Sequence, residues 1–174
     1  MNQEILKKYS KAEFQTSLGN FTIEFYNEKM PITVANFLNL ADSGFYDGIK
    51  FHRVIKGFMI QAGDPLSKDN SMKDIWGMGG PGYKIQDEFT EGLSNVSGTI
   101  SMANSGPNTG GSQFFINLAD NIYLDFDKEP LSSKHPVFGR VVSGMDVVDK
   151  ISKVKTELND RPETPVVINK ISLK

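Results

Sequence analysis

Phe21, Ile23 and Phe25 alternate with Thr22, Glu24 and Tyr26, and this period of two limits what the chain can fold into. Successive side chains of a strand point to opposite faces, so the alternation marks a strand with one buried and one wet face. Ser17-Leu18-Gly19-Asn20 before it is a turn signal, which makes residues 12–26 a hairpin. Further strands are expected at 50–56, 58–62, 98–102, 112–117 and 136–142, and Val166 to Leu173 alternates again. Helical spacing is confined to two stretches. Pro31 opens the first, where a missing N–H costs nothing; Val34, Phe37, Leu38 and Ala41 follow, with Gly44 at the expected C-terminal cap. The second starts at Ser143-Gly144-Met145-Asp146, a capping-box pattern, ahead of Val147, Val148 and Ile151. Many short strands and two helices without a strand–helix–strand rhythm predict a mostly-β domain. An antiparallel barrel, closed on itself with helices plugging its ends, leaves no exposed edge.

A chain of 174 residues, 39% hydrophobic and 23% charged, suits one globular domain with a real core. Nineteen basic against 21 acidic residues give a formal charge of -2, which argues against nonspecific nucleic-acid binding. There is no cysteine, so disulfide frameworks and thiolate metal sites are excluded, and a reducing compartment fits. No stretch reaches the roughly 20 apolar residues of a membrane span, and Met1 to Ser10 lacks a signal-peptide core. A cytoplasmic, monomeric protein without membrane or nucleic-acid partners is expected. Residues 1–11 are read as a polar N-terminal extension, a frayed helix dispensable to the barrel, and 12–174 as the domain. Residues 63–97 and 118–135 are long loops rich in Gly, Pro, Asn and Asp, a length usually kept for function.

Several motifs dissolve on inspection. Gly77-Met78-Gly79-Gly80-Pro81-Gly82 matches a dinucleotide fingerprint in letters only, since no strand precedes it and Pro81 interrupts the helix start. A glycine-rich surface turn is the better reading. Gly110-Gly111-Ser112-Gln113-Phe114 lacks the closing glycine of a nucleophile elbow. His52 and His135, far apart and without a carboxylate pattern, make a poor ligand set, so no metal and no cofactor is expected.

What remains is Phe51 to Asp64, which combines Arg53, Gln61 and large apolar residues without a nucleophile–base pair. Met59 and Gln61 share one strand face, and Gln113 and Phe115 share another by the same rule, leaving Phe114 and Ile116 for the core. Two strands thus each offer an amide and an exposed apolar group on the non-core side, the pattern of a peptide groove.

These residues resemble the cyclophilins. Phe51-His52-Arg53, Gly57-Phe58-Met59 and Gln61 match the family's first motif. Met102-Ala103-Asn104, Gly106-Pro107-Asn108-Thr109 and Gly111-Ser112-Gln113-Phe114-Phe115 match its second. Phe45-Tyr46, His135 with Val137-Phe138-Gly139, and Gly144-Met145-Asp146-Val147-Val148 extend the likeness over nearly the whole chain. The resemblance implies a closed antiparallel eight-stranded barrel capped by two α-helices and a peptidyl-prolyl cis-trans isomerase. It implies Arg53 as the catalytic residue, with Phe58, Met59, Phe115 and Leu124 around the proline ring and His135 on the rim. Gln61 and Asn104 would hold the peptide backbone, Asn104 through its main chain. Gln113, Ala103 and Gly77 would line the neighbouring subsite.

Implied partners are proline-containing peptides and folding proteins, and the alternative is a non-catalytic chaperone or scaffold module. Tyr123 stands where many members carry tryptophan, so cyclosporin-type macrocycles are expected to bind with reduced affinity. Ser105 and Ala62, expected near the groove, also depart from the common pattern, and segments 67–76 and 125–134 look longer than usual.

Overall fold

The computed structural model describes residues 2–129 and 134–174. Its strands are β1 (Lys11–Thr16), β2 (Gly19–Phe25), β3 (Arg53–Ile55), β4 (Met59–Ala62), β5 (Thr99–Met102), β6 (Phe114–Asn117), β7 (Val137–Ser143) and β8 (Ile168–Leu173). They form one eight-stranded antiparallel sheet in the order β3-β4-β6-β5-β7-β2-β1-β8. The predicted hairpin is β1–β2, with Phe14 opposite Phe21. Curling brings the two ends of the sheet together just before β3 and β8. There Lys50 bridges Val167, and the Phe51 N–H donates to the Val166 carbonyl at 3.0 Å.

Register fixes which side chains enter the core. Val54, Ile60, Ile116 and Ile100 are successive cross-strand partners through β3, β4, β6 and β5, and all four are buried. On α2 (Pro31–Asp42), Phe37 sits at the centre of an aromatic group. Its ring lies 4.9 Å from Tyr46, 5.2 Å from Phe25, 5.6 Å from Phe114 and 5.7 Å from Phe138. Fully burying a side chain of this size contributes about 1.5–3 kcal/mol, and each aromatic pair about 0.5–1.5 more.

α2 starts without a local cap, since Met30 offers no side-chain acceptor. Glu88, from the long loop, fills that role. Its carboxylate accepts from the Ile32 N–H at 3.0 Å, the Thr33 N–H at 2.6 Å and the Thr33 hydroxyl at 2.8 Å. Orphan donors and the positive helix end are satisfied together, and the loop is fastened to the helix. At the other end Gly44 takes the left-handed conformation, φ 73°, as predicted.

Two expectations need correction. The capping box at Ser143 does not form: Ser143 ends β7, and Gly144, at φ 78°, precedes α3 (Met145–Ser152) without a side-chain cap. A Cβ on Gly144 would stand 2.4 Å from the Asn20 carbonyl oxygen, so chain crossing, not capping, fixes the residue there. Ala62 lies in the main core opposite Phe114, away from any groove. The helix expected in the N-terminal extension is α1 (Ile5–Lys8), and its Ile5 is buried. Asn27 Nδ2 holds that segment down by donating to the Leu6 and Tyr9 carbonyls, each at 2.7 Å.

Candidate active site

The row next to the core row builds the site. Arg53, Gln61, Phe115 and Ser101 are cross-strand partners through β3, β4, β6 and β5. Cross-strand partners share a face, and this row faces away from the main core. Ile55 and Met59 form the next rung of β3 and β4. Met59, Phe115 and Leu124 pack as a second apolar cluster, separate from the main one, with Ile55, Phe58 and Ala103 against it. The groups expected to be exposed are buried: Met59 is 2% and Phe115 5% accessible. Their neighbours make the difference. His135 meets Phe115 edge-on at 5.3 Å, and Tyr123 stacks on Phe58 at 6.4 Å.

The turn Ile122–Leu124 sends consecutive residues opposite ways. Leu124 goes inward, 7% exposed, and Tyr123 outward, 50% exposed. Phe58 is pinned through its carbonyl, which accepts from the Leu118 N–H and Asn121 Nδ2, each at 2.9 Å. His135 Nδ1 lies 3.0 Å from the Met102 carbonyl oxygen, and burial pushes this imidazole below the ordinary histidine range. A ring held this way is neutral at neutral pH.

The amides are fixed by a chain that begins at a buried carboxylate. Asp64 accepts from the Leu66 N–H at 2.8 Å and from the Gly77 N–H. The carbonyls of Gly77 and Gly79 both accept from Gln113 Nε2 at 2.8 Å, and Gln113 Oε1 accepts from Gln61 Nε2 at 3.0 Å. A Cβ on Gly79 would come within 2.0 Å of Asp64 Oδ1, so this glycine serves close packing against the carboxylate. The dinucleotide reading stays rejected on that ground. A cavity of about 450 Å³ opens beside this chain, with Gln61, Gly77, Ala103, Asn104 and Gln113 in its wall and Ser105 at its edge. Asn104 uses its side chain elsewhere, donating to the Lys134 carbonyl at 2.7 Å and accepting from the Gly106 N–H at 3.3 Å. Ser112 is buried, and its hydroxyl donates to the Gly63 carbonyl at 2.7 Å, a structural bond.

Arg53 lies at the open end of the row with 45% of its side chain exposed. Its Nε is 3.7 Å from Asp160 Oδ2, and among the described residues its guanidinium makes no hydrogen bond. Sequence reasoning missed this contact, because nothing local links Asp160 to β3. It also missed a buried polar web beneath the socket. Asp125 accepts from the Asn95 N–H and Nδ2, Asn95 Oδ1 accepts from Ser101, and Asn117 Oδ1 accepts from Asn121. Polar residues inside the apolar strands Thr99–Met102 and Phe114–Asn117 were the available signal. Of the loop 125–134, residues 130–133 lie outside the described residues.

Comparison with known proteins gives this groove its class. The family profile described as cyclophilin type peptidyl-prolyl cis-trans isomerase/CLD matches residues 11–173. The chain is 47% identical over 156 residues to peptidyl-prolyl cis-trans isomerase-like 1 of Aspergillus fumigatus, covering 89% of each. It is 44% identical to peptidyl-prolyl cis-trans isomerase ppi1 of Schizosaccharomyces pombe, covering 92% of this chain and 97% of that one. A crystal structure of a Cryptosporidium parvum cyclophilin type isomerase, in the presence of the dipeptide Ala-Pro, superposes with a TM-score of 0.82. That pair is 29% identical, over 94% of this chain and 98% of the other. The chain belongs to the cyclophilin-type peptidyl-prolyl cis-trans isomerases. Its enzyme class is that of an isomerase acting on the bond before proline.

Proposed function

We propose that Arg53 catalyses rotation about X–Pro bonds held in the groove of Phe58, Met59, Phe115 and Leu124, without a covalent intermediate. The supporting observation is the row itself: a half-exposed guanidinium two strands from Phe115, next to a separate apolar socket. An X–Pro amide resists rotation by roughly 18–20 kcal/mol because its C–N bond is partly double. Uncatalysed exchange takes on the order of 10–100 s, so millisecond turnover needs about four decades, or about 5–6 kcal/mol. As the bond twists, conjugation breaks and the prolyl nitrogen regains a lone pair. A permanently charged, donor-rich group aimed there binds the twisted state better than either planar one.

The remaining residues take supporting roles. Gln61, oriented by Gln113, and the Asn104 main chain hold the peptide backbone, while the socket holds the ring as the preceding carbonyl swings. Ala103, Gly77 and Gln113 bound the neighbouring subsite, and His135 and Tyr123 form the rim. Substrates are proline-containing peptides and folding proteins, on which the domain also acts as a chaperone. The domain works as a monomer. The curled sheet works as a closed barrel capped by α2 and α3, with residues 1–11 as an appendage to the domain 12–174. A balanced charge and the absence of cysteine support a cytoplasmic protein without nucleic-acid or membrane partners. Among the described residues, no helix is long and apolar enough to cross a membrane.

Exchange spectroscopy on a short X–Pro peptide tests the proposal directly. Catalytic amounts of protein are expected to produce cis/trans exchange cross-peaks on the second timescale or faster. A spectrum unchanged from peptide alone, with the peptide still bound, would favour the non-catalytic module instead. Tyr123 yields a separate expectation. Its phenol keeps the aromatic wall but carries its donor elsewhere than an indole, so cyclosporin should bind weakly. Tyr123→Trp is expected to tighten cyclosporin at least tenfold by calorimetric titration, with peptide turnover little changed. Equal affinities for both forms would show that the donor position is immaterial.

A further inference from the structure

We propose that Asp160 is a positioning residue for the isomerase reaction, acting through Arg53. The inference rests on the role given to Arg53 above and adds what orients it.

The segment 156–162 is clamped against the sheet end that carries Arg53. Thr156 bridges Pro162, and the Glu157 N–H donates to the Arg161 carbonyl at 2.7 Å. Arg161 binds Glu157 Oε2 through Nε and Nη2, at 3.0 and 2.7 Å, and donates from Nη1 to the Lys73 carbonyl at 2.9 Å. Its guanidinium also lies over Trp76, 5.7 Å from the ring centre. Within this clamp Asn159 and Asp160 both take left-handed backbone conformations, φ 73° and 60°. Asn and Asp enter this region more readily than other non-glycine residues, so the tight turn suits the two side chains. The bonds on either side of it, Thr156 to Pro162 and Glu157 to Arg161, hold the backbone from which the Asp160 carboxylate reaches Arg53.

The geometry of the pair suits orientation more than neutralisation. Asp160 Oδ2 stands 3.7 Å from Nε, beyond hydrogen-bond length, and both side chains are about half exposed. The contact therefore draws the guanidinium electrostatically toward one edge and leaves the Nη1 and Nη2 donors uncommitted. A free arginine on a strand end spreads over many rotamers. Restricting them before substrate arrives raises the fraction of encounters in which the charge already faces the prolyl nitrogen. Because the apolar socket holds the ring independently, the benefit falls on kcat and not on KM.

Asp160→Asn, nearly isosteric, is expected to lower kcat about three- to fivefold by exchange NMR with KM unchanged, the scale of a half-exposed ion pair. Asp160→Glu should restore part of the loss. The difference between wild type and Asp160→Asn should shrink in 1 M salt, where screening acts within about 3 Å. In an Arg53→Ala background, followed at high protein concentration, Asp160→Asn should change nothing further. Unchanged or faster turnover in Asp160→Asn would overturn the proposal. So would an equal loss with and without Arg53, which would mark a purely structural effect of the loop. If Arg53→Ala itself retained full activity, the fault would lie with the role of Arg53 and not with the coupling.

Discussion

Replacing Arg53 with alanine is expected to lower kcat/KM about 100- to 1,000-fold while leaving the fold in place. The magnitude follows from removing one preorganised charged donor from a reaction centre, which costs about 2.7–4 kcal/mol of transition-state stabilisation. That is about half or more of the roughly 5–6 kcal/mol the reaction requires, so the variant should retain only the part supplied by the socket and the backbone contacts. The fold should tolerate the change for reasons visible in the sheet. Arg53 is half exposed, its ion pair with Asp160 is exposed to a similar degree, and the adjacent core position is Val54. Exposed pairs of this kind contribute about 0–1 kcal/mol, so unfolding in urea should shift little. KM should rise modestly at most, because Met59, Phe115 and Leu124 remain to hold the ring. Arg53→Lys separates charge from shape: a point charge on a flexible stem should recover only part of the rate. Turnover within threefold of wild type in Arg53→Ala would remove the guanidinium from the mechanism.

Much of this arrangement was legible in the chain, and the parts that were not share a physical cause. Strand periodicity reports which face a side chain takes, so Phe114 and Ile116 were placed in the core and Phe115 on the opposite face with Gln61. Pro31 and Gly44 mark the ends of α2 because each has a backbone preference of its own. Ser143 misled for the opposite reason. Its capping pattern is local, whereas the conformation of Gly144 is imposed by the Asn20 carbonyl from another strand. α1 is four residues long, too short for a helical period to show, and it is held by packing on α2 and by the Asn27 side chain. Asp160 and Glu88 act across distances that no window spans: one meets β3, the other caps α2. The degree of burial escaped for a similar reason. Met59 looks like an exposed groove residue until Tyr123, Leu124 and His135 are folded over the site.

His52, one residue before the guanidinium, should make the protein markedly acid-sensitive. Its ring is 6% exposed, and neither nitrogen has a partner among the described residues. Burial lowers its pKa to about 4, with the Asp64 carboxylate opposing the shift and the Arg53 charge adding to it. The unfolded chain titrates this group near its ordinary 6.5. Between those values the unfolded state therefore binds the proton and the folded state does not. Stability from this residue is complete above about pH 6.5, declines as pH falls toward about 4, and declines no further below that. Lowering the pH from 7.5 to 5 should cost about 2 kcal/mol through His52 alone, since each unit of the window is worth about 1.4 kcal/mol. His135, also shifted downward by burial, acts in the same direction. A leucine at position 52 fills similar space, leaves no unpaired ring nitrogen and has nothing to protonate. Urea unfolding of His52→Leu at the two pH values should thus show a much flatter dependence than wild type, with the His135 share remaining. The same slope in both proteins, or an NMR titration placing His52 near 6.5, would contradict this. Folding is linked here to the proton through a ring that carries no charge in the native state, and the neighbouring arginine benefits. A second cation beside Arg53 would repel it, whereas the neutral imidazole leaves its charge undisturbed.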